Sequence, residues 1–230
     1  MGASAIGLGD RRSARFWNTT VGKKAVMAVT GIILFGYVIG HLLGNLQIFL
    51  PNGRESINHY AVMLHTYPAL LWGVRSFLIL MIVLHIWAYM QLGLRNVDAR
   101  PIGYVKKRAA GSSIASRTMY WSGPFIAFYI VYHILHLTTG TVHPDFHEGD
   151  VYANVVNGFR SYAVSITYIV AIIFLCLHLY HGLWSWLQSL GLHHPRYTPV
   201  MKRAAALVAI FIAVGYISIP VAVLAGLLPS

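Results

Sequence analysis

Six histidines lie inside long apolar stretches of this sequence, where ionisable side chains are rare and usually mark a functional site. They are His41, His85, His133, His136, His178 and His181. Imidazole nitrogens bind metals and exchange protons near neutral pH, so these side chains could ligate iron, hold zinc or relay protons. One such histidine would be explained as a hydrogen-bonded core residue. Six of them in one chain indicate a shared role.

The stretches that carry these histidines are long enough to cross a lipid bilayer. A helix needs about 20 apolar residues to span about 30 Å of hydrocarbon. Five segments meet that length, at residues 25–50, 68–94, 119–139, 163–190 and 204–228. Soluble helices show a polar face, and membrane β-barrels show alternating strands of about ten residues, and neither pattern is present. The sequence therefore predicts an all-α fold, a single integral-membrane domain over residues 1–230 with five transmembrane helices.

The composition excludes other classes of protein. Charged residues make up 10% of the chain and hydrophobic residues 57%, which rules out a disordered chain. The single cysteine, Cys176, rules out a disulfide scaffold. A net charge of +11 would suit nucleic acid, but the basic residues only interrupt the long apolar runs. We therefore expect no nucleic-acid partner.

The basic residues also predict the orientation in the membrane. The N-terminal segment and the loops at 95–118 and 191–203 together hold 14 of the 17 lysines and arginines. Cytoplasmic loops are enriched in Lys and Arg. The N-terminus is therefore expected in the cytoplasm and the C-terminus outside.

The six histidines sort into two depths when residues are counted at about 1.5 Å each from the ends of the predicted spans. The outer group is His41 with His133 or His136, and the inner group is His85 with His178 or His181. Each group draws on two different helices. Opposing imidazoles at one level on facing helices suit a bis-histidine haem. Two groups predict two b-type haems, with one haem or a non-haem role as alternatives.

Other uses of these histidines fit the sequence less well. Zinc sites commonly add Cys or a carboxylate, and proton relays usually mix histidine with carboxylates. The five predicted spans contain no Asp or Glu. A transporter would show broken helices or a polar lining at mid-depth. The lack of carboxylates within the membrane therefore favours haem.

Glycines accompany the first histidine. Gly36, Gly40 and Gly44 recur at every fourth residue beside His41. Such a stripe permits close helix packing, and it would equally leave a face without side chains for a porphyrin. Both explanations stay open.

Four segments of the chain carry a family resemblance. They are residues 22–46 (GKKAVMAVTGIILFGYVIGHLLGNL), residues 57–85, which begin INHYAVMLHTYPALLWGVRS, residues 115–139 (ASRTMYWSGPFIAFYIVYHILHLTT) and residues 178–191 (HLYHGLWSWLQSLG). In this order they resemble the first four helices of the membrane anchor of succinate dehydrogenase/fumarate reductase, in its single-subunit, five-helix, di-haem cytochrome b form. The resemblance covers nearly the whole chain.

The resemblance implies which histidines are the haem ligands. His41 and His133 would bind the outer haem, and His85 and His178 the inner haem. The HxxxG spacing from His178 to Gly182 favours His178 over His181, and the family position favours His133 over His136. The two remaining histidines would assist the ligands or the propionates, or would be core residues.

The resemblance also implies a function in electron transfer, with no substrate chemistry in this chain. A flavoprotein subunit would oxidise succinate or reduce fumarate. An iron–sulfur subunit would dock on the cytoplasmic face, and a quinone, commonly menaquinone in this class, would bind within the membrane subunit. The expected location is a prokaryotic cytoplasmic membrane. The alternative is a di-haem cytochrome b of another quinone-linked dehydrogenase, such as a hydrogenase or formate dehydrogenase.

Quinone binding requires hydrogen-bond donors and a route for protons, and polar residues at both ends of the spans could supply them. The outer candidates are Glu55, His65, Tyr67 and Arg75, and the inner candidates are Trp17, Asn18, Lys24 and Arg95. Arg75 is equally a candidate partner for a haem propionate. Cys176 stands where some members of the family carry a glutamate linked to transmembrane proton movement, so such a path is not expected here. The outer 140–161 loop is interpreted as a solvated turn rather than a metal site.

Overall fold

The structure, a computed structural model, describes residues 16–99, 113–192 and 194–229. Within these ranges the chain is helical and contains no strand. The helices are α1 (Thr20–Asn45), a 3₁₀ helix (Leu46–Phe49), α2 (Gly53–His65), α3 (Pro68–Asp98), α4 (Ile114–Leu137), α5 (Val151–Phe159), α6 (Tyr162–Ser189) and α7 (Thr198–Leu224). Basic residues 11, 12, 15, 100 and 106–108, which entered the prediction of orientation, lie outside the described residues.

Four of the described helical segments are long and apolar enough to cross a membrane. They are Thr20–Phe49, Pro68–Asp98, Tyr162–Ser189 and Thr198–Leu224, with mean hydropathies of 2.1, 2.1, 2.2 and 2.6. The predicted all-α, multi-pass membrane fold is thereby confirmed for four of its five spans. The fifth, α4, has 24 residues and is about 36 Å long. It is not among the four because its tyrosines, its two histidines and Pro124 lower its hydropathy.

Local sequence signals explain where the long helices begin and end. Thr19 caps α1 by accepting a hydrogen bond from the Gly22 amide, and Ser113 caps α4 in the same way from Ser116. Pro68 stands at the start of α3, where its missing N–H costs nothing. After α6, Gly191 adopts a φ of +76°, a left-handed conformation that glycine allows at helix ends.

Helices α1 and α3 run antiparallel, and so do α4 and α6. In the α1–α3 pair, the Lys23 ammonium donates to the Gln91 amide oxygen at 2.9 Å, and Thr30 contacts His85 farther along. Two pairs result, α1 with α3 and α4 with α6, and they are joined where α1 packs against α6.

The fifth long helix, α7, closes the bundle on the side of α1 and α6. Leu42 of α1 is fully buried there beside Ile172 and Ile212. The Tyr216 hydroxyl donates to the Val38 carbonyl at 2.8 Å. A Cβ on Gly215 would lie 2.9 Å from Leu42 Cδ1, so glycine permits this close approach.

The two shorter helices, α2 and α5, form a cap over one end of the bundle. Asp150 caps α5 by accepting from the Ala153 amide, and it also accepts from Asn58 and Arg54 of α2 at 2.9 and 2.6 Å. Burial raises the pKa of the Asp150 carboxyl, but these hydrogen bonds and the Arg54 charge outweigh it, so the pKa lies below its usual value. Val156 of α5 is 1% exposed. The expected solvated turn at 140–161 is therefore half loop and half buried helix.

Candidate functional site

A large cavity lies between the helix pair α1/α3 and the helix pair α4/α6. Its volume is about 2260 Å³, and its lining is mostly apolar. Pockets for ordinary small molecules measure about 300–1,000 Å³. The cavity therefore has room for more than one large group.

Four histidines face one another across this cavity in two pairs. The ring centroids of His41 and His133 are 5.8 Å apart with an interplanar angle of 83°, and those of His85 and His178 are 6.3 Å apart at 58°. Imidazole nitrogens lie about 2 Å from a bound first-row metal, so two axial rings on one metal have centroids roughly 6 Å apart. Both pairs meet that spacing.

The two pairs lie at two depths. Thr30 contacts His85, and His41 follows Thr30 by eleven residues on α1. Ser122 contacts His178, and His133 follows Ser122 by eleven residues on α4. Eleven residues are about three helical turns, which return to the same helix face roughly 16 Å farther along. The distance between the two levels of histidines is therefore the same whether it is counted along α1 or along α4.

Hydroxyl groups hold the inner pair, His85 and His178. Thr30 donates its proton to the Val26 carbonyl at 2.7 Å, which leaves its oxygen to accept from His85 Nδ1 at 3.1 Å. The fully buried Ser122 lies 3.4 Å from His178 Nδ1. A ring whose Nδ1–H is held in this way keeps the Nε2 lone pair for a metal.

The outer pair, His41 and His133, has different neighbours. The His41 ring stacks on Tyr37 with centroids 5.5 Å apart. His133 Nδ1 lies 3.3 Å from the hydroxyl of Tyr168, a residue of α6. The same hydroxyl is 3.0 Å from His136 Nδ1.

His136 lies behind the cavity wall. It is 0% exposed, and its ring stacks on Tyr132 and on His143, whose centroid is 4.7 Å away. His143 is itself fixed, since its Nδ1 accepts from the Asp145 amide and its Nε2 donates to the Asn154 carbonyl. Of the two histidines that were alternatives on α4, His133 faces the cavity and His136 faces the cap that α2 and α5 form, which we call the outer cap.

On α6, His181 lines the cavity one turn beyond His178. Its ring contacts Trp184 edge to face with centroids 5.4 Å apart, whereas the His178 ring faces His85. His178 is therefore the histidine of α6 that meets a second imidazole.

Glycines leave open space on the cavity walls. Gly40, Gly123 and Gly182 line the cavity, and a Cβ on any of them would meet no atom within 4 Å. Gly44 instead packs on Tyr60, whose Cε1 would lie 2.7 Å from such a Cβ. Both explanations of the glycine stripe thus apply, at different positions. A porphyrin would fit between the facing imidazoles, next to glycines that leave open space on the cavity walls.

A zinc site fits less well. Among the residues that the structure describes, no three His, Cys, Asp or Glu side chains come together as a metal cluster. Structural zinc takes four protein ligands and catalytic zinc three. Pairs of histidines suit an ion whose other ligands come from a macrocycle.

Four of the quinone and propionate candidates line the cavity: Arg75, His65, Tyr67 and Lys24. The Arg75 guanidinium lies 5.1 Å from the centre of the Trp72 ring, and no carboxylate of the described residues pairs with it. The other four candidates lie elsewhere. Glu55 is exposed in the first turn of α2, Trp17 is exposed, and Arg95 donates to the Asn18 carbonyl at 2.6 Å.

The sequence alone did not predict the hydroxyl partners of the histidines, which are Thr30, Ser122 and Tyr168. A signal was present, because Thr30 and Ser122 each precede a cavity histidine of their own helix by eleven residues. That interval keeps two residues on one helix face. It does not show that each hydroxyl contacts a histidine of the neighbouring helix.

Comparison with known families gives a match over this part of the molecule. A family model of the succinate dehydrogenase/fumarate reductase transmembrane subunit matches residues 100–217, just over half of the chain. The chain belongs to this family. Neither the curated proteins nor the solved structures gave a match.

Membership of the succinate dehydrogenase/fumarate reductase family makes the chain a multi-pass membrane subunit that associates with other subunits of that enzyme. The matched region includes His133, Tyr168 and His178 and lies after His41 and His85. Each facing pair therefore joins one histidine inside the matched region to one before it.

Proposed function

We propose that this subunit is a di-haem cytochrome b that carries electrons between an iron–sulfur subunit and a membrane quinone. His41 and His133 hold the outer haem, and His85 and His178 hold the inner haem. The observation that carries the proposal is the repeated geometry: two pairs of facing imidazoles at one spacing, separated by the same three turns on α1 and on α4.

Haem, when bound, supplies one-electron transfer at its iron. The residues of this chain do the rest. The histidines fix the two positions in depth, and the apolar lining keeps water away from them. Arg75 towards the outer level and Lys24 towards the inner end offer positive charge to propionates or to a quinone oxygen.

The proposed membrane arrangement has five spans, with α4 crossing beside α6. The N-terminus is cytoplasmic and the C-terminus lies outside, in a prokaryotic inner membrane. Support comes from the antiparallel course of α4 and α6 and from the basic residues of the N-terminal segment and the 95–118 and 191–203 loops. In this orientation an iron–sulfur subunit, together with its flavoprotein subunit, docks near the inner pair.

The quinone, which the resemblance suggests is menaquinone, is proposed to bind at the outer end of the cavity. His65, Tyr67 and Arg75 line that end and supply hydrogen-bond donors. The inner candidates Trp17, Asn18 and Arg95 are less favoured, because none of them lines the cavity and the Arg95 guanidinium is already bonded to the Asn18 carbonyl.

The test uses the purified complex reduced with dithionite. A b-type absorption spectrum is expected, together with co-purifying flavoprotein and iron–sulfur subunits. His133→Ala should remove one of two haem signals, whereas the matched variant His136→Ala should keep both. A folded but colourless complex would overturn the proposal, and loss of a haem signal only in His136→Ala would show that the wrong histidine of α4 was assigned.

A further inference from the structure

The Tyr168 hydroxyl stands between two histidines of α4. Its oxygen lies 3.3 Å from His133 Nδ1 and 3.0 Å from His136 Nδ1. A phenol has one proton to donate and lone pairs with which to accept. It can therefore donate to at most one of these rings and must accept from at least one of them.

His133 can bind a metal through Nε2 only if its Nδ1–H donates to the phenol oxygen. If Tyr168 donated to His133 Nδ1, the ring proton would sit on Nε2 and block the lone pair that faces the cavity. If His133 Nδ1–H donates to Tyr168 and Tyr168 donates to His136 Nδ1, the Nε2 of His133 is free. His136 then acts as the acceptor that fixes the direction of the hydroxyl proton.

The surroundings hold this bridge in place. Tyr168 is 5% exposed, and Phe159, Tyr129 and Tyr132 pack around its ring, the first two with centroids 4.8 and 5.2 Å away. His136 is clamped between Tyr132 and His143. Neither ring can turn away without opening the buried core beneath the outer cap.

We propose that Tyr168 is a positioning residue for the outer haem ligand, and that the His133–Tyr168–His136 chain sets the tautomer, the orientation and the electron donation of His133. This inference rests on the proposed haem-binding function and goes beyond it, since it assigns a role to Tyr168 and His136, neither of which is a proposed haem ligand.

The hydrogen bond has a predictable effect on redox equilibrium. An Nδ1–H that donates to an oxygen makes its imidazole a stronger base and a stronger electron donor to a metal. Stronger donation favours the oxidised iron. Removing the phenol oxygen should therefore make the outer haem easier to reduce and leave the inner haem unchanged.

The experiment compares Tyr168→Phe with the unaltered complex by optical redox titration and electron paramagnetic resonance. The expected result is retention of both haems, with a several-fold increase in the reduced-to-oxidised ratio of one haem at fixed potential and a changed resonance signal for that haem. Tyr129→Phe is the matched control: it removes a neighbouring phenol that forms no described hydrogen bond to either histidine, and both titrations should stay as in the unaltered protein.

The outcomes separate this inference from the proposed function. Two haems with unchanged titrations in Tyr168→Phe would overturn the positioning role and leave the di-haem function intact. Absence of haem from the unaltered complex would overturn the function itself. Should Tyr168→Phe fail to assemble, His136→Leu decides: a shifted titration of the outer haem, with both haems retained, supports the role, whereas two unshifted haems or loss of the outer haem contradict it.

Discussion

The outer and inner histidine pairs share one spacing but are held in different ways. Each inner ring has an aliphatic hydroxyl of its own, Thr30 for His85 and Ser122 for His178. In the outer pair, His133 shares a phenol with a third histidine, and His41 stacks on Tyr37. Under the proposed function, the facing imidazoles set where each haem would bind, and the groups behind them make the two positions unequal. The unequal partners give the two haems different expected potentials.

The largest effect expected at the inner position comes from its ligand on α6. His178→Ala should abolish binding of the inner haem, because the remaining His85 has no second imidazole opposite it. Haem content should fall from two per chain to one while the outer haem spectrum persists. His181→Ala is the matched control and should retain both haems. The reverse pattern would contradict the assignment of His178.

At the outer position, a bulky side chain on the cavity wall should lower haem occupancy. Gly40→Leu would place its side chain in the open space beside His41, so the outer haem should be lost or strongly depleted. Gly36→Leu is the control, since that glycine lies one turn away on the same helix and does not line the cavity. Pigment analysis of both variants checks this. Equal haem loss in the two would point to helix packing instead of cavity space.

Smaller changes should shift the inner haem without removing it. Thr30→Val keeps the shape of the side chain but removes the oxygen that accepts from His85. If this hydrogen bond stabilises the oxidised state by up to about 1 kcal/mol more than the reduced state, the reduced-to-oxidised ratio of the inner haem should rise by up to roughly fivefold at fixed potential. A redox titration that moved the outer haem instead would reverse the assignment of levels.

The smallest effect should come from the outer cap. Asp150→Ala removes the N-cap of α5 and the partner of Arg54, and should cost about 1–2 kcal/mol of stability with both haem spectra unchanged. Because the folded pKa of Asp150 is lowered, its contribution is present above the usual carboxyl pKa of about 3.9 and is lost as pH falls through the folded value. Thermal unfolding of both proteins across that range measures the difference. An equal gap at every pH would contradict the role of the charged form.

Periodicity and hydropathy were enough to predict the long helices, because crossing a bilayer constrains length and polarity at once. Counting residues also predicted the two depths of the histidines. The choice between His133 and His136 could not be made this way, since residues three apart point only about 60° from each other and the orientation of α4 depends on its packing against α6 and α5. The buried His143 was also beyond prediction, because a polar loop sequence does not reveal that α5 folds back beneath it.

The haem-to-polypeptide ratio of the purified complex, combined with a redox titration, tests the central claim most directly. The proposed function predicts two b-type haems per chain that titrate at two distinct potentials, because the two pairs of imidazoles have similar spacings but unequal hydrogen-bond partners. A single haem per chain, or none in a folded complex, would contradict the account of two haem sites.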